Sequence, residues 1–214
     1  VINNETLGEL NEKQKKGMNI IVKSCDQLTQ LIESLLYLNA LHTEKSNYQF
    51  DSFKIDRLMD NIVSNFNPKI QEKNQSVKTS IEDNLLTRGD WDYLKQVFTH
   101  ILDNANKFTP ANGLITITGF REDDSVHITI EDTGIGIKKD LIPYIFRLFY
   151  QIDGSMTRKY VGTGIGMYIC KEIIEIHNGR IWVESEENKG TAVHVVLPLA
   201  DSNVLEIDNY SYGY

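Results

Sequence analysis

The chain has 214 residues, of which 41% are hydrophobic and 24% charged, and its formal net charge is -8 at neutral pH. This composition is ordinary for a folded globular protein and excludes disorder as the main state. The negative charge argues against nucleic acid or an anionic membrane as the main partner, because neutralising phosphates requires a basic face. Any phosphate binding must then be local, through backbone N–H groups and a few cations.

The two cysteines, Cys25 and Cys170, both fall in helical apolar patterns and lack metal-ligand spacing. They are therefore predicted to be core residues in a reducing compartment rather than zinc ligands or a disulfide. The sequence contains no apolar run of about 18 residues and no charged-then-apolar leader, so we expect no membrane span and no export signal in this stretch. The expected location is cytoplasmic, which is compatible with membrane tethering of a longer protein. A start at Val1 rather than Met favours a piece of such a longer protein.

The first predicted element is an amphipathic helix over about 11–42. Asn11, followed three residues later by Gln14, predicts a capping box at its start. Its apolar positions recur at steps of three and four and include Ile21, Leu28, Leu31, Ile32, Leu35, Leu36 and Leu38. Such a seam needs partner helices, and the residues before 3 are too few to supply one.

From residue 47 the pattern is that of an α+β domain. The predicted elements are helices over about 54–66, 90–108, 141–149 and 164–177, strands at 77–81, 181–184 and 191–197, and an antiparallel hairpin of 114–120 with 126–131. Residues 201–214 are polar, contain three tyrosines and have no periodicity, so they are predicted to be a tail.

A first candidate site is Asp132-Thr-Gly134-Ile-Gly136, directly after a predicted strand. A buried carboxylate only accepts hydrogen bonds and so suits the exocyclic amine of adenine. Glycines at 134 and 136 allow a sharp turn and a close approach to a flat ring. An ordinary aspartate-glycine turn is the alternative.

A second candidate is Gly162-Thr163-Gly164-Ile-Gly166, which opens a predicted helix. Free N–H groups and the positive end of the helix dipole at such a start suit a polyphosphate. The glycine spacing is neither a Rossmann fingerprint nor a P-loop. A loop with a glycine helix cap is the alternative.

The third candidate is a polar stripe of His100, Asn104 and Lys107 on the predicted helix 90–108. The amide oxygen of Asn104 is a hard ligand suited to Mg²⁺, and Lys107 lies one turn later, within reach of phosphate oxygens. A solvated polar face is the alternative.

Taken together and in order, five motifs resemble those of sensor histidine kinases. They are the asparagine box from Asn104 to Pro110, the first glycine box from Asp132 to Gly136, the phenylalanine box from Phe146 to Phe149, the second glycine box from Gly162 to Gly166, and the closing glycine motif from Asn188 to Thr191. The match covers about 47–199, and the leading helix resembles the second helix of their dimerisation hairpin. The resemblance implies a Bergerat-type α/β sandwich, a mixed sheet against a helix layer, preceded by a long dimerisation helix. It divides the chain into a partial dimerisation helix at 1–44, a catalytic ATP-binding domain at 45–200 and a tail at 201–214.

The same resemblance implies roles for individual residues with ATP and Mg²⁺. Asp132 would recognise adenine, Asn104 would hold Mg²⁺ and Lys107 would contact phosphate. The remaining nucleotide-binding residues that it implies are Phe108, Gly134, Gly136, Gly162, Thr163, Gly164, Gly166 and Thr191. It also implies a mobile lid over ATP at 138–161, with Phe146 and Phe149 packing at its base.

Three departures from the family pattern stand out. His100 occupies a position that is often asparagine, and its imidazole has a possible contact with phosphate or metal-bound water. Arg147 replaces the acid of the phenylalanine box and Gln151 its distal arginine, a variant that resembles kinases of the hybrid type, so Arg158 is the candidate replacement cation. No segment reads H-E-x-x-T-P, and His42 lies at the far end of the seam, so we expect a chain that binds ATP without labelling itself.

The function implied is transfer of the γ-phosphoryl group of ATP to a histidine on a partner helix. The expected partners are that helix, a response-regulator receiver domain and a second copy of the full-length protein. A gyrase-like or chaperone-like ATP hydrolase is the alternative enzyme, although His100 stands where those enzymes place a glutamate base. A nucleotide-binding interaction module without kinase activity is the third possibility.

Overall fold

A computed structural model describes residues 10–43, 48–152 and 163–200. Its elements follow the predicted order, with a long helix first and an α+β unit after it. Within the described residues, no helix is long and apolar enough to cross a membrane.

The leading helix, α1, runs from Glu12 to Thr43. The predicted capping box is present, because the N–H of Gln14 donates to Oδ1 of Asn11 and the N–H of Asn11 donates to Oε1 of Gln14, each at 2.9 Å. Most of the described seam side chains are exposed: Ile21, Leu28, Ile32, Leu35 and Leu36. Leu38 is buried. The prediction that Cys25 is a core residue is wrong, because this side of α1 faces solvent.

Three further helices form one layer of the α+β unit. They are α2 (Ile55–Glu72), α3 (Trp91–Phe108) and α4 (Gly166–Ile176). The predicted end of α2 near residue 66 is wrong, because the helix continues through Pro68 and buries Ile70 one turn later. The predicted helix over 141–149 is also wrong, since only a single 3-10 turn, Ile142–Tyr144, forms there.

The second layer is a five-stranded mixed sheet. Its strands are β2 (Ser76–Ile81), β4 (Leu114–Glu122), β5 (Ser125–Asp132), β6 (Arg180–Glu186) and β7 (Gly190–Pro198), in the spatial order β2-β4-β5-β7-β6. Only β2 and β4 pair in parallel, and the other neighbours are antiparallel, including the predicted β4–β5 hairpin. The predicted sandwich of a mixed sheet and a helix layer is confirmed.

A second, two-stranded sheet was missed by the sequence reading. It pairs β1 (Asp51–Lys54) with β3 (Leu86–Gly89) antiparallel. Four-residue strands carry too little alternation to be seen in the sequence. β1 leads directly into α2, and β3 leads directly into α3, so the small sheet joins the starts of these two helices.

The core lies between the two layers, where alternate residues of β4, β5 and β7 meet the apolar faces of the helices. Its largest fully buried members include Phe98, Leu94, Leu102, Ile115, Ile117 and Ile128. Cys170 on α4 is buried here, as predicted. His177 anchors the start of α3, because its Nε2 accepts from the N–H of Asp90 at 2.9 Å. Asp90 in turn caps α3 by accepting from the N–H groups of Asp92 and Tyr93.

Candidate nucleotide-binding and catalytic site

The polar stripe of α3 lies beside α4 and the loop that leads into it. His100, Asn104 and Lys107 are all partly buried rather than fully solvated. The apolar face of α3, which includes Leu94, packs into the core and fixes the rotation of the helix. This rotation directs the stripe towards the second glycine motif.

Lys107 is engaged in an ion pair in this structure. Its Nζ lies 2.6 Å from Oδ2 of Asp103, while Nζ of Lys69 lies 3.0 Å from Oδ1 of the same carboxylate. Burial alone would raise the pKa of Asp103, but the hydrogen bonds and charges of the two lysines outweigh it and lower the pKa. A phosphate that binds Lys107 therefore either displaces the Asp103 carboxylate from this lysine or shares the lysine with it.

Asn104 and His100 both touch the start of α4. Nδ2 of Asn104 donates to Sδ of Met167 at 3.3 Å. The imidazole of His100 packs directly against Gly166, where a Cβ would overlap the ring. Burial lowers the pKa of His100, the charge of Lys107 lowers it further, and Asp103 opposes both, so the imidazole is neutral at pH 7. This close contact is a better explanation for the glycine at position 166 than a helix-capping role.

Asp132 ends β5 with its carboxylate buried. Its Oδ1 accepts from the N–H of Gly134 at 2.7 Å. Burial raises the pKa of Asp132 to about 6, partly offset by backbone hydrogen bonds from Gly134 and Thr191, and Glu131 adds a small increase. Strongly perturbed pKa values cluster at functional sites, so the raised pKa supports Asp132 as a candidate binding residue.

The glycines around Asp132 bring three backbone segments together. A Cβ at Gly134 would lie 2.7 Å from the carbonyl oxygen of Phe108 at the end of α3. Gly136, with φ of +64°, is pressed against the Glu186 carbonyl at the end of β6, and Gly190, with φ of +115°, against the Asp132 carbonyl. The first and closing glycine motifs are therefore packed against the protein's own backbone, whereas Gly134 and Gly136 were predicted to allow a sharp turn and a close approach to a flat ring.

The second glycine motif is only partly described. Gly162 and Arg158 lie outside the described residues, and Thr163 is the first residue after that gap. Gly164 has φ of +70°, and a Cβ there would lie 2.7 Å from the carbonyl oxygen of Tyr150. This glycine thus allows the loop before α4 to pass over the end of the phenylalanine box.

The two phenylalanines of that box differ in environment. Phe146 is partly buried and packs against the core. Phe149 is 53% exposed and has φ of +62°. Its packing at the base of a lid stays a prediction, because residues 153–161 of the predicted lid lie outside the described residues. Its backbone, rather than its ring, lies against Gly164.

Thr191 lies directly across the β5–β7 ladder from Asp132. Its Oγ1 is 2.9 Å from Oγ of Ser185, which donates to the carbonyl of Gly190 at 2.7 Å and accepts from the N–H of Ile137 at 2.8 Å. The sequence reading missed Ser185, whose only signal is its strand position opposite Thr191. This hydroxyl holds the loop after the first glycine motif against the closing one.

A buried amide network at the end of α3 was also missed. Nδ2 of Asn106 donates to Oε1 of Gln75 at 2.7 Å, and Nε2 of Gln75 donates to the carbonyl of Thr109 at 2.7 Å. Nζ of Lys73 donates to the carbonyls of Asn106 and Lys107 at 2.6 and 2.9 Å. These contacts satisfy helix-end carbonyls that would otherwise be unpaired and hold the last turn of α3, which carries Lys107.

The end of α3 and the loop after Asp132 are joined, because the N–H of Ile135 donates to the carbonyl of Phe108 at 3.4 Å. The described structure thus brings together His100, Asn104, Lys107, Phe108, Asp132, Gly134, Gly136, Thr163, Gly164, Gly166 and Thr191 around the carboxyl end of α3 and the start of α4.

Comparison with known proteins places this arrangement in a family. Residues 89–201 match the family described as histidine kinase-, DNA gyrase B- and HSP90-like ATPase. The chain is 38% identical over 199 residues to a methyl sulfide methyltransferase-associated sensor of Methanosarcina acetivorans, covering 92% of this chain and 20% of that protein. It is 31% identical over 175 residues to the sensor histidine kinase WalK of Bacillus subtilis, covering 81% of this chain and 29% of WalK.

A solved structure agrees with these relatives. The catalytic domain of the histidine kinase ThkA superposes with a TM-score of 0.63 at 29% identity, covering 71% of this chain and 96% of that domain. The chain spans between a fifth and a third of the length of these two curated relatives. The chain therefore belongs to the histidine kinase-, DNA gyrase B- and HSP90-like ATPase family, as a catalytic domain of the sensor histidine kinase type.

Proposed function

We propose that this chain binds Mg-ATP and transfers the γ-phosphoryl group to a histidine on a dimerisation helix. The observation that carries the proposal is Asp132, a buried carboxylate at the end of β5 whose pKa is raised to about 6 by burial. We assign catalysis to residues 45–200.

Asp132 is proposed to bind the exocyclic amine of adenine. One carboxylate oxygen is oriented by the N–H of Gly134, which fixes the group before any ligand arrives. A carboxylate has lone pairs to spare after this contact. Guanine presents a carbonyl oxygen at the equivalent position and would leave the carboxylate unpaired, so we infer selectivity for adenine.

The phosphates are proposed to lie between the stripe of α3 and the start of α4. Lys107 would exchange part of its contact with Asp103 for a phosphate oxygen, and the neutral His100 would donate or accept a hydrogen bond without adding charge. The side-chain amide oxygen of Asn104 suits Mg²⁺, because the amide nitrogen of the same side chain already donates to Met167. Mg²⁺ would neutralise charge on the phosphates, and Arg158 is our candidate for a further cation from the lid.

In the proposed reaction the bond between the γ-phosphorus and the bridging oxygen breaks and a phosphorus–nitrogen bond to the acceptor imidazole forms. ADP leaves with the electron pair, and the imidazole loses its N–H proton to solvent. Such transfers depend mainly on positioning and charge neutralisation.

Hydrolysis is less well supported than transfer to histidine. A water-activating base is expected one turn before Asn104, and His100 occupies that position. The neighbouring carboxylate, Asp103, is tied to Lys69 and Lys107. The other alternative, a nucleotide-binding interaction module without kinase activity, would bind ATP but would not transfer phosphate to a supplied hairpin.

The exposed seam of α1 supports the assignment of residues 1–44 to a dimerisation helix and of the full-length protein to a homodimer. An apolar stripe with Leu28, Leu35 and Leu36 exposed is stable in water only when partner helices cover it. A receiver domain of a response regulator is the proposed acceptor of the phosphoryl group from histidine.

Two measurements test the proposal. Calorimetry with Mg²⁺ should show ATP binding about 5 to 150 times tighter than GTP binding, because an unpaired buried acceptor costs about 1 to 3 kcal/mol. Incubation with labelled ATP and a supplied dimerisation hairpin should then yield acid-labile, base-stable phosphate on the hairpin. Equal affinities for ATP and GTP would refute the role of Asp132, and binding without transfer would favour the interaction module.

A further inference from the structure

The face of the sheet that points away from the helices carries a pair of histidines that the nucleotide site does not use. His127 on β5 and His194 on β7 both point to this outer face, diagonally across the antiparallel ladder. Both side chains are largely buried, at 11% and 15% exposure. Trp182 on β6 stacks on His194 with a ring separation of 4.8 Å and an interplanar angle of 8°.

The facing nitrogens of the two imidazoles are close together. Nε2 of His127 lies 3.2 Å from Nδ1 of His194, and Oγ1 of Thr129 lies 3.1 Å from the same Nδ1. Zinc binds histidine nitrogen at about 2.0 to 2.1 Å, so two nitrogens on one tetrahedral ion lie about 3.3 Å apart. The observed separation therefore suits a shared cation as well as a hydrogen bond.

The two outward nitrogens each face a carboxylate. Nδ1 of His127 lies 3.3 Å from Oε2 of Glu122, and Nε2 of His194 lies 3.9 Å from Oε2 of Glu184. Neither contact is aligned as a hydrogen bond, and both nitrogens are buried without a partner. The carboxylates are 51% and 71% exposed, so a side-chain rotation would complete either contact.

Counting protons shows what the cluster lacks. Each neutral imidazole has one N–H, and a hydrogen bond between the facing nitrogens uses one of the two. One outward nitrogen then presents a lone pair to a carboxylate, which is repulsive. A cation bound between the two facing nitrogens removes this repulsion. Both outward nitrogens then carry N–H groups that can donate to Glu122 and Glu184.

We propose that His127 and His194 form a binding site for a divalent transition-metal cation on the outer face of the sheet, with Glu122 and Glu184 as the carboxylates that orient the two imidazoles. Carboxylates behind ligating histidines are a recurrent feature of metal sites, since they fix the tautomer and raise the basicity of the ligand. The described residues hold no group of three or more His, Cys, Asp or Glu side chains arranged around a metal, so the site has two protein ligands and water completes the coordination. Imidazole ligands favour Cu²⁺, Ni²⁺ and Zn²⁺ over Mg²⁺, which separates this site from the nucleotide site.

Trp182 provides a direct readout of binding. The chain has only two tryptophans, so a Trp91→Phe background leaves the indole that stacks on His194 as the sole tryptophan, which is excited selectively at wavelengths that tyrosine does not absorb. Cu²⁺ or Ni²⁺ titrated at pH 7.5, with Mg²⁺ in excess, should quench this fluorescence with a stoichiometry of one. Cu²⁺ should bind more tightly than Ni²⁺ or Zn²⁺.

Substitutions assign the ligands. His127→Gln and His194→Gln should each weaken binding by more than tenfold, and Glu122→Gln should weaken it about 10- to 100-fold. Glu175→Gln, an equal change of charge on α4 in the helix layer at the other face of the sheet, should leave it unchanged. Quenching that survives both histidine substitutions, or its absence in the starting protein at millimolar metal, overturns the proposal.

Protons should compete with the metal, which tests the site without any substitution at the histidines. The charged groups around the pair are Glu122, Glu131, Glu184 and Arg180. A proton and a metal ion bind the same imidazole lone pairs, so they exclude each other at each nitrogen. Apparent metal affinity should fall steadily between pH 7.5 and pH 5.5. An affinity that is unchanged over this range would show that the histidines are not ligands.

Discussion

Replacing Asp132 by asparagine should make the nucleotide-free domain more stable while it weakens ATP binding. In the folded chain burial raises the pKa of this carboxyl to about 6, from an ordinary value of 3.8. The neutral form is thus favoured by folding, and its stabilising contribution is complete below about pH 3.8 and lost as the pH rises through 6. Above that pH the protein carries the full cost of an ionised buried carboxylate, at most about 3 kcal/mol.

The asparagine variant removes this cost and keeps the shape of the side chain. Its Oδ1 can still accept from the N–H of Gly134, but its NH₂ group then faces the adenine amine, and the reversed amide would clash with Gly134 instead. ATP affinity should therefore fall by a factor of about 5 to 150. The free energy of unfolding at pH 7.5 should rise by up to about 3 kcal/mol, and the difference from the parent should shrink towards zero near pH 4.

Urea denaturation across pH and calorimetry with Mg-ATP measure the two effects separately. Asp60→Asn, the same chemical change at an exposed position of α2, is the matched control and should alter neither quantity. A variant that is less stable than the parent at pH 7.5 would refute the argument from burial. Unchanged ATP affinity would refute the assignment of the carboxylate to adenine.

Three further results are expected. Gly166→Ala should reduce ATP affinity, because its Cβ would overlap the His100 imidazole. In a double-mutant cycle, His100→Ala should restore part of this loss. Additive effects of the two substitutions would contradict the contact. Gly17→Ala, in the exposed part of α1 with open space around it, should instead raise helix stability by about 0.5 to 1 kcal/mol as judged by thermal unfolding. Asn106→Ala should lower the free energy of unfolding in urea by about 1 to 3 kcal/mol, since it leaves the side-chain oxygen of Gln75 buried and unpaired. The control Asn65→Ala, at an exposed position, should have little effect. Equal losses in the two variants would count against the network.

The sequence by itself predicted most of the α+β unit, because its elements are long and periodic. The faces of α3 and the alternation in β4 and β5 were readable, and the capping box of Asn11 and Gln14 set the start of α1 to within a residue. Motif order also brought Asp132, Asn104 and the glycines into one hypothesis, and the family comparisons agree with it. Their individual roles remain predictions.

The tertiary structure decided what depends on partners distant in the sequence. It pairs Asp103 of α3 with Lys69 of α2, places His100 against Gly166 and presses Gly136 and Gly190 against backbone carbonyls, none of which has a local signal. It exposes Cys25, where an apolar pattern had predicted burial, because the same periodicity serves a core and a surface awaiting another helix. Periodicity fixes which residues share a face, but only the packing of the elements determines whether that face meets the core, a ligand or water.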